Sequence, residues 1–413
     1  MSNHQLGKEL KRLAILVALL MAIWVPLSLV ATESEQPRSV FQSCDPQSKQ
    51  ASGANYLICM PLFGWNQKLI VYAHEYIAPN EPLMDIPANT DIMALAARVN
   101  LLGYAFAVTS YSQNGLAVQE GIEDVIDLAL LFEQQKGTPD KKYVLGVSQG
   151  GLISALTLER HPELFDGGWA LCGPYGDFRE QSDYFAHARV LFDYFFPDVL
   201  AGSPIEASAS LMDNWGSFYA KVMQPILTDS ANAHRVDQLL ATAGIAFNAD
   251  DENSKAAAIE TVLWYNTFTV NDGIERFGGQ PFDNMDTVYS GSEDDTKLND
   301  EVARFVADAA ALAAQEQYQT TGALRRPLIT IHTTRDPLMP YVQLERYQEK
   351  INQAGAGVYY QHIESNSYGH CQFSDSEILQ SLNQLEALVE SAPAISTDAQ
   401  NINIFLPIVM KAN

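Results

Sequence analysis

An α/β fold, with a mostly parallel central sheet flanked by helices, is predicted by three features of the chain. Short apolar runs bounded by Gly, Pro and Asn alternate with segments of helical periodicity over residues 54–172, and the same alternation resumes over residues 327–391. Parallel neighbours in a sheet need crossover connections, and helical crossovers cover both of its faces. Between the two alternating blocks lies a long stretch without strand rhythm, which reads as a large helical cap insertion rather than a separate domain, since the alternation continues beyond it. The 413 residues are 47% hydrophobic and 10% aromatic, enough for one large core and a smaller second unit. A disordered chain and a disulfide-dependent miniprotein are thereby excluded.

Taken in order, residues 1–34 read as a signal peptide: Lys8, Lys11 and Arg12 precede a nearly unbroken apolar run from Leu13 to Val30, with Pro26 and Ser28 late in it. The run is also close to the lower length limit for a membrane span, so attachment to a membrane through an uncleaved N-terminal segment stays open. Residues 35–172 form the first part of the core, with strands expected at 54–60, 68–73, 104–108, 142–147 and 168–172. Helices are expected at 91–102, where Thr90 can cap and Gly103 can stop the helix, at 121–135 and at 149–160. The second of these repeats Ile122, Val125, Ile126, Ala129 and Leu130 at helical spacing.

Residues 173–326 make up the cap, with aromatic-rich helical stretches at 184–196 and 214–223. Residues 327–391 supply the second part of the core, with strands at 327–332 and 358–363 and helices at 342–354 and 376–388. Residues 392–413 form a C-terminal tail whose apolar run at 404–410 is too short to span a bilayer. That run reads as an extra docked strand or a recognition tag.

The formal net charge of -25 sets the chain against phosphate backbones, so nucleic acid is not expected as a partner. Cys44, Cys59, Cys172 and Cys371 all follow the leader, and an even number of cysteines in an exported protein allows two disulfides with three connectivities. The spacing lacks CxxC and paired histidines, so no metal site is expected, and the acidic runs at 250–252 and 293–295 fit no calcium-binding loop. Cys172 ends the strand next to the one that leads into Ser148, and Cys371 follows His370 on a loop at the same sheet edge. Cys44 and Cys59 flank a short polar segment. The pairing expected from this placement is Cys172 with Cys371 and Cys44 with Cys59.

Gly146-Val147-Ser148-Gln149-Gly150 is a G-x-S-x-G pentapeptide. The apolar strand Tyr143-Val144-Leu145 runs directly into it and a helix follows directly, which is the strand, sharp turn and helix that the motif requires. Here the chain resembles the α/β-hydrolase superfamily over about residues 54–172 and 327–390, though not over the insert. The resemblance implies a Ser, Asp, His order, with the acid after the strand that follows the insert and the base after the last strand. Ser148 is then the nucleophile, Asp336 in the turn Arg335-Asp336-Pro337-Leu338-Met339-Pro340 the acid, and His370 in Gly369-His370-Cys371 the base. Asp177 is the rival acid, because some relatives carry the carboxylate after the preceding strand. His332 and His362 lie within strands, as core or face histidines do.

One oxyanion donor is expected from the Gln149 N–H. The segment Tyr72-Ala73-His74-Glu75-Tyr76 resembles the superfamily's His-Gly-x segment, which points to the Tyr76 N–H as the second, although Glu75 stands where glycine is usual. Cys371 after His370 also resembles tannase-like and feruloyl-esterase-like enzymes, which carry a further cysteine where this chain has Val147.

The reading is an exported or cell-surface serine hydrolase that cleaves carboxylic esters through an acyl-enzyme, without a cofactor, acting on a small-molecule or polymer-derived ester. An exported peptidase or amidase with the same residues, or a binding protein on a hydrolase fold, are the alternatives.

Overall fold

The computed structural model of the chain describes residues 42–393. The stretch 1–34, read above as a signal peptide, and the C-terminal run at 404–410 lie outside the described residues.

A nine-stranded mixed sheet organises the molecule. Its strands are β1 (Gln42–Cys44), β2 (Ser48–Lys49), β3 (Asn55–Pro61), β4 (Lys68–Ala73), β5 (Ala105–Thr109), β6 (Lys141–Val147), β7 (Gly167–Leu171), β10 (Leu328–Arg335) and β11 (Tyr360–Tyr368). The numbers β8 (Gly202–Ser203) and β9 (Glu206–Ala207) belong to a two-stranded ribbon in the insert. The order across the sheet is β1-β3-β5-β4-β6-β7-β10-β11, with β2 on β3. From β5 to β11 all neighbours are parallel, whereas β3 runs antiparallel to β5. Strands β4, β5 and β7 are near-continuous apolar runs such as Leu69-Ile70-Val71-Tyr72, the pattern of strands covered on both faces, and β10 is buried from Leu328 to Thr333 although it carries Thr330, His332 and Thr333.

The crossover helices are α1 (Thr90–Leu101), α2 (Val118–Lys136), α3 (Gln149–Arg160), then α4 (Phe178–Phe195), which opens the insert. Asn89 caps α1 by accepting from Ile92 N at 3.0 Å, so the cap sits one residue before the expected Thr90. Within the insert follow α5 (Ala209–Phe218), α6 (Gln224–Thr228), α7 (Ala233–Ala243), α8 (Asn253–Phe277), α9 (Asp295–Glu301) and α10 (Ala309–Gln315), and after β10 come α11 (Val342–Gln353) and α12 (Asp375–Ser391). Ile92 and Val99 of α1 join Leu385 and Leu388 of α12 on one face of the sheet. Val125 of α2, Leu152 of α3 and Leu344 of α11 cover the other.

The insert buries a core of its own, built from Phe192, Leu239, Ile259 and Leu263, and that core reaches Leu338 and Met339 in the turn after β10. Two boundaries shift in a way that matters for the site. β10 continues to Arg335 and β11 to Tyr368, beyond the expected ends at 332 and 363, because the two strands keep pairing as far as Arg335 and Tyr368. Asp336 and His370 thus stand within two residues of strand ends.

The structure joins Cys44 to Cys59, which face each other across β1 and β3, and Cys172 to Cys371. No cysteine is free among the described residues. Two disulfides belong with an oxidising, extracytoplasmic setting. No helix among the described residues is long and apolar enough to cross a membrane.

Candidate active site

Ser148 joins β6 to α3 with φ 55° and ψ −122°, a conformation that costs on the order of 1–3 kcal/mol and persists only where the surroundings impose it. Two glycines impose it by their lack of a side chain. A Cβ on Gly146 would fall 1.8 Å from the Gly150 carbonyl oxygen, and one on Gly150 would fall 2.0 Å from the Ala73 carbonyl oxygen. The turn therefore closes against both α3 and the end of β4, and Ser148 stands at the carboxyl edge of the sheet at the N-terminus of a 12-residue helix.

His370 meets it from the loop after β11. The Ser148 hydroxyl lies 2.9 Å from His370 Nε2, and His370 Nδ1 lies 2.7 Å from Asp336 Oδ2. Asp336 is 3% exposed, and its other oxygen accepts the backbone N–H groups of Leu338 at 2.8 Å and Met339 at 3.0 Å. Burial on its own raises this carboxyl, yet the charge and hydrogen bond of His370, with the Met339 N–H, hold it below the usual carboxylate range. An ionised Asp336 makes Nδ1 the protonated nitrogen, so Nε2 is the acceptor facing Ser148.

Residues that sequence reasoning missed hold this geometry. Thr333 donates to the Gly369 carbonyl at 2.7 Å and so ties the end of β10 to the His370 loop. The short distance from Asp336 to Leu338 and Met339 in a proline-flanked turn was the available signal for the two backbone donors.

Asp177, the rival acid, caps α4 by accepting from Glu180 N at 3.0 Å and also accepts from Gln319 Nε2 at 2.8 Å. His370 bonds Asp336 instead. His332 is buried, donating to the Met339 carbonyl at 2.8 Å and accepting from the Tyr175 hydroxyl at 3.1 Å.

Among the described residues no backbone carbonyl or side chain accepts from the N–H of Gln149 or of Tyr76. The segment before Tyr76 is braced by His74, which stacks on Tyr111 at 3.9 Å and whose carbonyl accepts from the Tyr111 hydroxyl at 3.0 Å. Glu75 is an exposed residue whose carboxylate accepts from the Tyr72 hydroxyl at 2.9 Å. The insert touches both the Tyr76 segment and the turn that holds Asp336. Tyr76 packs against Trp264 and Tyr265 of α8 and donates to the Phe268 carbonyl at 2.9 Å, while Tyr184 of α4 donates to the Pro337 carbonyl at 2.7 Å. Cys172, Cys371 and His370 bring possible ligand atoms within 4.8 Å of one another, but both sulfurs are committed to the disulfide.

Solved structures similar to the chain include an esterase of Pyrococcus furiosus, at 10% identity over 85% of this chain and 91% of that one, with a TM-score of 0.43. An esterase of Aspergillus oryzae is 15% identical over 83% and 78%, with a TM-score of 0.47. Feruloyl esterase B of Aspergillus oryzae is 13% identical over 85% and 79%, with a TM-score of 0.48. No curated protein matches the chain in sequence. The family model described as the alpha/beta hydrolase fold matches residues 98–377, more than half of the chain and a span that takes in Ser148, Asp336 and His370. The chain belongs to the α/β-hydrolase fold family.

Proposed function

We propose that the chain is an exported serine hydrolase that cleaves carboxylic esters through an acyl-enzyme. The observation that carries the reading is the continuous hydrogen-bonded path from Asp336 through His370 to Ser148, at 2.7 and 2.9 Å, ending on a serine at a strained turn.

A serine hydroxyl is a poor nucleophile near neutral pH until a base takes its proton during attack. His370 Nε2 takes it as Ser148 Oγ bonds the ester carbonyl carbon, and Asp336 stabilises the imidazolium while remaining ionised. The oxygen that gains charge is met by the N–H groups of Gln149 and Tyr76, each donor being worth about 3 kcal/mol. Collapse of this intermediate expels the alcohol, which receives the proton from His370. Water, activated by the same imidazole, then releases the acid and restores Ser148. No step uses a cofactor. The aromatic residues that the insert places against the Tyr76 and Asp336 loops are suited to an apolar acyl or alcohol group of a small-molecule or polymer-derived ester.

The test compares wild type with Ser148→Ala on short p-nitrophenyl esters and p-nitroanilides, with labelling by a fluorophosphonate. The expectation is ester turnover and labelling in wild type, and loss of both in the variant with an unchanged unfolding midpoint. Faster cleavage of anilides would move the reading to a peptidase or amidase, and an unlabelled wild type would leave a binding protein on a hydrolase fold.

A further inference from the structure

A cavity of about 680 Å³ opens on the insert away from Ser148, between α4 and the segments around Thr242 and Tyr289. One face of α4 lines it with Arg179, Asp183 and His187, spaced four residues apart and therefore stacked along the helix. Tyr184 and Tyr289 contribute to its walls.

The hydrogen-bond direction at this cavity follows from one backbone group. Phe305 N–H donates to Asn284 Oδ1 at 2.7 Å, which orients the amide of that fully buried side chain. Asn284 Nδ2 must then be the donor to the Tyr289 hydroxyl oxygen at 3.0 Å, which leaves the hydroxyl proton for His187 Nδ1 at 2.8 Å. His187 is thereby set as the tautomer that carries its proton on Nε2. Burial, with Arg304 adding to it, lowers this imidazole to about 4, so it is neutral in ordinary buffers. Among the described residues nothing hydrogen-bonds to that Nε2–H.

One turn earlier, Asp183 receives no hydrogen bond among the described residues, and its nearest cation is Arg179 at 3.9 Å. Burial pushes its carboxyl up to about 7, against the pull of Arg179, with Asp177, Asp283 and Glu180 adding to the rise. The side chain is 20% exposed, so this largely buried carboxyl has an acceptor oxygen that the protein leaves unfilled and that a ligand in the cavity can reach. The cavity thus offers a fixed N–H donor and an unfilled acceptor on one helix face, beside two phenol rings.

We propose that this cavity is a binding site for a neutral, hydroxyl-rich ligand, a saccharide unit, with a ligand oxygen accepting from His187 Nε2–H and a ligand hydroxyl donating to Asp183. A hydroxyl group is both donor and acceptor, so neighbouring hydroxyls on a sugar ring complement the pair. The ring of Tyr184 supplies apolar surface for a C–H face of the sugar, while Tyr289, buried beneath Arg304, serves to orient His187. An ammonium ligand would satisfy Asp183 alone and leave His187 Nε2–H opposed to another donor.

The site is tested by isothermal titration and ligand-observed NMR on the full chain carrying Ser148→Ala, so that binding is read without turnover and independently of the esterase reading. The probes are xylotriose, cellotriose and chitotriose, with spermidine as the amine control. At least one trisaccharide is expected to bind, with affinity reduced tenfold or more in Asp183→Leu and in His187→Leu. Asp183→Asn keeps an acceptor oxygen and is expected to stay within about threefold of the parent, which also guards against reading a folding defect as lost binding. Absence of trisaccharide binding by the parent, or affinity unchanged in both leucine variants, overturns the proposal. Binding of spermidine that is abolished in Asp183→Asn, without saccharide binding, replaces it by an amine site.

Discussion

Replacing Cys172 and Cys371 together by alanine removes a bond that spans 199 residues of sequence and ties the residue after His370 to the end of β7, beside the Ser148 turn. Most of what such a bond contributes comes from the conformations it denies the unfolded chain. In the chain-entropy treatment that contribution grows as 1.5RT ln n above a constant, about 5 kcal/mol for a loop of this length and about 3 kcal/mol for a 15-residue loop. The Cys44–Cys59 bond, with a separation of 15, is the internal control.

Urea unfolding of the two double-alanine variants should therefore differ by about 2 kcal/mol, with the Cys172/Cys371 variant the less stable. Catalysis should separate them further. Cys44 and Cys59 lie on β1 and β3, across the sheet from β10 and β11, so turnover of a p-nitrophenyl ester should survive their loss. Cys371 holds positive φ (56°) next to His370 and is anchored by its bond to Cys172. Freeing it lets the imidazole drift, and a displacement of about 1 Å from productive geometry costs on the order of 100-fold. A tenfold to hundredfold fall in kcat/KM is expected for this variant alone. Full turnover in the Cys172/Cys371 variant, or greater destabilisation in the Cys44/Cys59 variant, would refute the reasoning.

Asp336→Asn should lower kcat by about 10⁴, as loss of the orienting acid does in a serine triad, whereas Asp177→Asn keeps an Oδ1 that can accept from Glu180 N–H and Gln319 Nε2–H and should cost about 1 kcal/mol of stability or less with activity retained. Steady-state kinetics on both variants would expose the reverse ranking. Gly150→Ala should yield little folded protein, since its Cβ meets the Ala73 carbonyl at 2.0 Å, while Gly216→Ala in α5 has open space and should stabilise by up to about 1 kcal/mol. Comparable thermal midpoints for the two would contradict the packing of the turn. Asp336 is held below its ordinary range in the folded chain, so its contribution to stability is present above the unfolded value and is lost as pH falls through the folded one. The gap in unfolding free energy between wild type and Asp336→Asn should accordingly narrow below about pH 4, and a gap that widens on acidification would reject the assignment.

The alternation of strands and helices was legible because it is a local property. A buried parallel strand needs a short apolar run and a covering helix needs a 3.6-residue period, and both are printed in neighbouring residues such as Leu69-Ile70-Val71 and Ile122, Val125, Ile126. The Ser148 turn was legible for the same reason, since its glycines, strand and helix are contiguous. The insert was less so. In the 25-residue helix α8, Ala256, Ile259, Val262, Leu263 and Asn266 share one buried face while Phe268 is buried on another, and the polar Asn266 and Thr267 among the buried residues weaken the apolar signal. β1 is three residues long and β11 ends in Ser365-Asn366-Ser367-Tyr368, so neither end is announced by hydrophobicity.

What the sequence by itself determined is thus the fold class, the turn that holds Ser148, and the short set of residues able to face it. The tertiary structure decided which of them do. Ser148 and His370 are 222 residues apart, and their 2.9 Å approach depends on β7 lying between β6 and β10 and on β11 pairing beyond Ser365. It likewise decided that His370 turns to Asp336 while Asp177 caps α4, that Thr333 ties the two loops, and that Asp183 and His187 share one cavity. Contacts of this kind depend on which surfaces meet when the sheet closes and its helices pack, a property of the whole chain that no window of neighbouring residues contains.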